Sequence, residues 1–202
     1  MTALGAAIAF LREGGAEVRV FAGADNCVRP REPGEPCARA ADDAVKLPFV
    51  IEVEGFPNLL HELAHVVLLG RVAKDHATEY AKIPFDLARA EGRRLLFDEL
   101  ACCVASCAFH PGDDAAAQAW LEEQVGIQGH FFGFGDDLAA FLAAVERPRR
   151  DHREELERTL ARAIAGVGEA LARGGAADAE RRPRRTLDFD EAWRRLLGRL
   201  AR

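Results

Sequence analysis

The pentapeptide His61-Glu62-Leu63-Ala64-His65 carries the strongest chemical signal in this 202-residue chain. Residues four positions apart lie on one face of an α-helix, so His61 and His65 could bind the same metal ion. Glu62 lies one position along and would point toward a water molecule at that metal. Two imidazoles and a carboxylate at this spacing predict a zinc hydrolase site. The alternative is an ordinary amphipathic helix whose two histidines are partly exposed.

The residues around this motif favour a buried helix. Residues 58–60 before it and residues 66–69 after it are almost all apolar, and Gly70 is expected to end the helix. Histidine and glutamate side chains inside a buried helix need partners, because unpaired buried polar groups are costly. A metal ion and its water would satisfy all three side chains, whereas the alternative predicts that they face the solvent.

A third metal ligand has to come from outside the motif, since a catalytic zinc site ordinarily has three protein ligands. The apolar stretch from Leu95 to Ser106 contains two adjacent carboxylates, Asp98 and Glu99. Carboxylates are rarely buried without a charged partner, so this pair is the best candidate. One carboxylate could bind the metal while the other orients a histidine ring. A salt bridge to Arg93 or Arg94 is the simpler explanation for the pair.

The motif and the acidic stretch together resemble the gluzincin metallopeptidases, in which a glutamate ligand lies on a helix that follows HExxH. Within that group, the order of elements over residues 16–110 is most similar to a divergent ImmA/IrrE-type metallopeptidase. The register of related families places Asp98 at the ligand position, Ala101 at a small-residue position and Cys102 at a polar one. A shift of one residue makes Glu99 the ligand instead. We prefer Glu99, because its longer side chain matches gluzincin chemistry.

Other residues that could belong to the site are four further histidines and one tyrosine. His130 lies in an aromatic, glycine-rich stretch at 129–135 and could line the cleft, although a surface position is the favoured interpretation. Tyr80 could donate a hydrogen bond to an oxyanion or could simply pack in the core. His76, His110 and His152 are rival ligands without a supporting pattern.

The elements that must position these residues are mostly helical, and we expect an α+β fold: a mostly helical zincin-like domain with a small sheet beside the HExxH helix, and a helical C-terminal extension. Alternation predicts strands at 16–21 and 47–54, separated by a proline-rich loop. The strand over 49–53 could be an edge strand that pairs with an extended peptide. Helices are predicted near the N-terminus and at 85–110, 114–125, 136–145 and 150–172.

The C-terminal region predicts a separable helix. We expect a zincin-like domain over residues 1–172, a flexible linker rich in glycine and arginine over 173–186, and an amphipathic helix over 187–202. Five apolar side chains share one face of that helix: Phe189, Trp193, Leu196, Leu197 and Leu200. This face either docks on the domain or serves self-association or partner binding.

The composition of the chain bears on its possible partners and on its cellular compartment. A hydrophobic content of 49% supports a real core, and a net charge of −6 argues against nucleic acid as a partner. No segment approaches the length of a membrane span, and the N-terminus indicates an amphipathic helix and not a signal peptide. Three of the five cysteines, Cys102, Cys103 and Cys107, fall in one apolar helical run, which suits the reducing cytoplasm, while a Cys27–Cys37 disulfide stays open as an alternative.

These observations predict a cytoplasmic zinc-dependent metallopeptidase that hydrolyses a peptide bond in a specific protein or peptide partner. His61, His65 and Glu99 would hold the zinc ion, and Glu62 would move protons as general base and acid. Two alternatives stay open. The same ligands could bind Fe(II) in a non-haem peptide hydroxylase, or the protein could be a catalytically inactive metal-binding interaction protein.

Overall fold

The computed structural model describes residues 1–37, 47–73, 85–187 and 189–200. Within these ranges the chain forms seven helices and one mixed sheet of three strands, which confirms the predicted mostly helical α+β class. The helices are α1 (Ala3–Glu13), α2 (Phe56–Leu69), α3 (Ala90–Phe109), α4 (Asp114–Phe131), α5 (Leu138–Asp151), α6 (Arg153–Arg173) and α7 (Phe189–Leu200). The strands are β1 (Ala16–Val20), β2 (Cys27–Pro30) and β3 (Phe49–Val53).

The sheet has the order β1-β3-β2, with β1 parallel and β2 antiparallel to β3. Ile51 lies opposite both Val18 and Val28, and its side chain is fully buried. Because β3 pairs on both sides, its backbone groups are already used, and the prediction that it is an edge strand open to a peptide is wrong. In the described part of the chain, the edges of the sheet are β1 and β2.

Strand β2 was missed in the sequence because it lies inside the predicted proline-rich loop and has only four residues. Ionic contacts hold it to its neighbours. The Arg29 Nη2 atom lies 2.8 Å from a carboxylate oxygen of both Glu35 and Glu52, and Arg31 pairs with Glu17. Burial alone would raise the pKa of Glu17, but hydrogen bonds from Arg31 and Arg19 lower it to about 2. Long-range charge pairs therefore stabilise β2, where local propensity is weak.

Helix α2 carries the HExxH motif and is bounded by residues suited to its ends. Pro57 lies in the first turn, where its missing N–H costs nothing, and Gly70 caps the C-terminus with φ 70°. His61 and Glu62 are 6% and 4% exposed, so the prediction of a buried motif helix is confirmed. The motif lies inside the protein, where its polar groups must be satisfied by other groups.

Helix α3 forms the centre of the helical layer. Its side chains from Leu100 to Phe109 are all buried, and it packs against α2, α4 and α6. The Trp120 Nε1 atom donates a hydrogen bond of 2.9 Å to Ser106 Oγ, which ties α4 to α3. Helix α3 begins at Ala90 and not at residue 85 as predicted. This central helix brings its carboxylates directly alongside the motif helix.

Helix α4 is longer than predicted and continues to Phe131. Asp113 begins it by accepting a hydrogen bond of 2.9 Å from the Ala116 backbone N–H. His130 therefore lies on the last turn of a helix and not in a loop. None of the helices in the described ranges is both long and apolar enough to cross a membrane.

The C-terminal helix α7 packs on the rest of the protein, against α3 and α6. Phe189, Trp193 and Leu196 are at most 2% exposed, and the Trp193 Nε1 atom donates to Glu146 of α5 at 2.9 Å. In the preceding segment, Arg185 pairs with Asp114 at 2.8 Å. The sequence left open whether the apolar face of this helix docks on the domain or binds a partner. Docking on the domain accounts for these contacts. The division into domain, linker and separable helix stays a prediction, and this burial weighs against it.

Candidate metal centre

Helix geometry places the two motif histidines on one face of α2. Their Nε2 atoms lie 3.1 Å apart, and the rings meet at an interplanar angle of 65°. The side chains of His61 and His65 are 8% and 16% exposed. The two nitrogen atoms are thus held close together at a largely buried position.

Glu99 of α3 completes a group of three donors. Its Oε2 atom lies 3.2 Å from His65 Nε2 and 3.6 Å from His61 Nε2, and the residue is 9% exposed. A tetrahedral ion bound at about 2.0–2.1 Å would separate its ligand atoms by roughly 3.3 Å. The measured separations of 3.1, 3.2 and 3.6 Å lie on both sides of that value. His61, His65 and Glu99 therefore form a buried group that could bind a metal ion.

Asp98, the other candidate ligand, lies outside this group. Its Oδ2 atom is 3.4 Å from Arg94 Nη1, one turn earlier on α3, and its side chain is 20% exposed. Burial raises the pKa of Asp98, and Arg94 opposes that rise. The simple salt bridge considered for the acidic pair therefore applies to Asp98, while Glu99 faces the histidines.

The protonation states of Glu99 and His65 bear on whether the group could bind a cation. Burial alone would raise the pKa of Glu99, but His65 and hydrogen bonds from both histidines hold it well below its ordinary value. Burial alone would lower the pKa of His65, but Cys102 and Glu99 raise it well above its ordinary value. Glu99 is therefore ionised, as a ligand must be, and protons compete with a metal ion for the histidines.

Cys102 is a neighbour of His65 that the sequence did not single out for this position. Its thiol is fully buried on α3, one turn after Glu99, and interacts with the His65 ring. Burial raises the pKa of this thiol to about 11, although His65 opposes the rise. Cys102 is therefore a buried thiol that interacts directly with His65.

A cleft of about 430 Å³ opens onto the three donors. Glu62 lines it beside His61, His65 and Glu99, so the motif carboxylate and the three clustered donors border one space. One wall comes from the start of β2, including Cys27. The residues of α4 that line the cleft include Gln124 and Gln128. A substrate in this cleft would contact a sheet edge, a helix and the donor group together.

Gln124 and Gln128 were not recognised from the sequence. They are 6% and 2% exposed, although glutamine is usually a surface residue. The available signal was their spacing of four, on a helix face that also carries Trp120, Leu121 and Val125. Only the packing of α4 shows that this face borders the cleft.

The rival ligands lie elsewhere or outside the described residues. His130 pairs with Asp136 at 3.0 Å, and His110 accepts a hydrogen bond of 3.1 Å from the Gly112 backbone. His152 lies 3.9 Å from Glu155. His76 and Tyr80 fall within residues 74–84, outside the described ranges. Cys27 and Cys37 are both free thiols, so the alternative of a disulfide between them is not observed.

No family model, curated protein or solved structure matches this chain. The interpretation of the site therefore depends on the geometry and chemistry of its own residues.

Proposed function

We propose that this protein is a zinc-dependent metallopeptidase that cleaves a peptide bond in a specific protein or peptide partner. The observation that carries the proposal is the buried meeting of His61, His65 and Glu99, with donor atoms 3.1 to 3.6 Å apart, in a cleft that Glu62 also lines. Two histidines and a carboxylate leave a fourth tetrahedral position for the reaction, as catalytic zinc sites require.

The side chains of the site have separate roles in the proposed reaction. Zinc, when bound by His61, His65 and Glu99, supplies Lewis acidity that polarises a carbonyl and acidifies a water molecule. Glu62 is not one of the three clustered donors, so its carboxylate can accept a proton from the attacking water. It then delivers this proton to the leaving amine. Its 4% exposure restricts bulk water, which strengthens these interactions.

The substrate class follows from the wall of the cleft. Residues 27–29 at the start of β2 line it, and β2 pairs only with β3 among the described strands. An extended peptide could therefore lie along β2, which takes the role first expected of β3. The free state of all five cysteines supports the proposed location in the cytoplasm.

The test is the Glu62→Gln variant. We expect the wild-type protein to contain one zinc ion and to cleave members of a peptide library. The variant should keep the zinc ion and lose hydrolysis by at least about 100-fold, because proton transfer contributes roughly 10²–10⁴-fold. Glu123→Gln, an exposed change on α4, is the matched control and should retain full activity.

Two results would contradict the proposal. Undiminished cleavage by Glu62→Gln would remove the mechanism. Iron in place of zinc after anaerobic purification, together with peptide oxidation, would instead establish the hydroxylase alternative.

A further inference from the structure

We propose that Gln124 and Gln128 of α4 bind the main chain of the peptide substrate in the cleft that β2 also lines. This inference depends on the proposed peptidase function and extends it by assigning two substrate-binding residues. It starts from the position of the two side chains, which border the same cleft as His61 and Glu99.

The packing of α4 makes these two glutamines exceptional. The neighbouring Leu121 and Val125 are 1% exposed and belong to the hydrophobic core. Gln124 and Gln128, four positions apart, lie one above the other on the helix and are nearly as buried. Apolar side chains would be the ordinary choice at such positions. The polar carboxamides therefore need a reason other than the packing of α4.

The Gln128 carboxamide is not satisfied by the described protein. Its Oε1 atom is buried and accepts no hydrogen bond from the residues that the structure describes. A buried polar atom without a partner is costly, so its retention indicates a partner that binds in the cleft. Gln128 lines the cleft, so a rotation of its side chain would turn this unused oxygen toward the substrate space.

The chemistry of a carboxamide fits a peptide unit. One carboxamide offers an N–H donor and a carbonyl acceptor, and a peptide unit offers the complementary pair. The group is also neutral, so it neither competes for the metal ion nor alters the charge of Glu62. Two such groups one helical turn apart could hold an extended chain whose other edge pairs with β2. Recognition of this kind orients the main chain and leaves the substrate side chains to decide specificity.

The experiment uses the full-length protein loaded with zinc and two classes of probe. Acetohydroxamate contacts the metal region alone, while N-acetyl dipeptidyl hydroxamates also offer a main chain to the cleft walls. A small set with apolar, acidic and basic side chains avoids dependence on one sequence. Binding is measured for the wild type and for Gln124→Met and Gln128→Met, which keep the side-chain length and remove the hydrogen bonds.

Gln118→Met is the matched control on the same helix. Gln118 is more exposed, and its Nε2 atom donates to Glu122 at 3.3 Å, away from the cleft residues. This change tests whether loss of any glutamine from α4 alters binding.

We expect Gln128→Met to weaken the dipeptidyl hydroxamates by about tenfold or more, the effect of leaving one bound polar group without its partner. Acetohydroxamate affinity and zinc content should not change, and the melting temperature should stay the same or rise. Unchanged dipeptidyl affinity in both cleft variants would overturn the inference. So would a wild type that binds both probe classes equally, or a lower melting temperature with unchanged affinity. A wild type that binds no zinc would instead overturn the proposed function, and this inference with it.

Discussion

At the scale of single residues, the orientation of two adjacent carboxylates decides the composition of the site. Successive residues on an α-helix point in directions about 100° apart, so Asp98 and Glu99 project from α3 in different directions. Glu99 approaches both histidines, whereas Asp98 lies beside Arg94. The preference for Glu99, first argued from side-chain length, therefore gains a geometric reason.

This arrangement predicts different effects of two neighbouring substitutions on metal affinity. Glu99→Ala should weaken zinc binding by more than about 100-fold, the upper range for loss of a group that only supports a ligand. Asp98→Ala should change affinity by less than about tenfold, since it removes only a partly exposed ion pair. Competition with a chromophoric chelator measures both variants. The reverse order would move the ligand to Asp98.

At the scale of elements, the site depends on the close approach of α2 to its neighbours. Helix α6 contacts α2, and Gly166 lies at this contact. A Cβ atom added at Gly166 would meet Val67 Cβ and Cγ2 at 2.9 Å, closer than packed carbons allow. Val67 lies two positions after the end of the motif. The missing side chain therefore lets α6 pack tightly against the metal helix.

We expect Gly166→Ala to destabilise the protein by about 1–3 kcal/mol, because overpacking forces helices apart. Gly126→Ala on α4 is the control, since, among the described residues, no atom beyond its chain neighbours and its own helix backbone lies within 4 Å of the added methyl group. That change should stabilise the protein by roughly 0.5–1 kcal/mol through helix propensity. Urea denaturation compares the two variants. If both variants were equally stable, the contact between α2 and α6 would be able to accommodate the added methyl group without cost.

At the scale of the whole molecule, the C-terminal helix contributes to the packed body. The Phe189 ring stacks on Trp193 at 5.4 Å, and Arg153 pairs with Asp190 at 2.8 Å. Leu197, in contrast, is 42% exposed. If this helix were separable, as the sequence predicted, truncation after Ala172 would leave stability nearly unchanged. The burial of Phe189 and Trp193 leads us to expect a clear loss of stability instead.

Two substitutions on α7 separate docking from partner binding. Trp193→Ala should destabilise the protein by about 3–5 kcal/mol, because it leaves a large cavity and removes the hydrogen bond to Glu146. Leu197→Ala should alter stability by less than about 0.5 kcal/mol, as is usual for exposed positions. Thermal unfolding of both variants is followed by far-ultraviolet circular dichroism, because that signal reports helix content and does not depend on the removed tryptophan. A negligible effect of Trp193→Ala would restore the prediction of a separable helix.

The sequence was sufficient for those features that depend on local order along one element. Helical periodicity places His61 and His65 on one face, and apolar flanks bury them. Composition and alternation predicted the mostly helical α+β class, and the amphipathic pattern predicted a C-terminal helix over 187–202, where α7 is observed at Phe189–Leu200. In each case the relevant residues lie within a few turns of each other, so spacing alone carries the information.

Tertiary structure decided everything that depends on how separate elements meet. The choice of Glu99 over Asp98 follows from the rotation of α3 against α2, which no local pattern encodes. Strand β2 exists through pairing with β3 and through charges such as the Arg29–Glu52 pair, so its own four residues carry a weak signal. Gln124 and Gln128 acquire a role only because α4 borders the cleft. Contacts between residues distant in sequence depend on packing, and packing is a property of the whole chain.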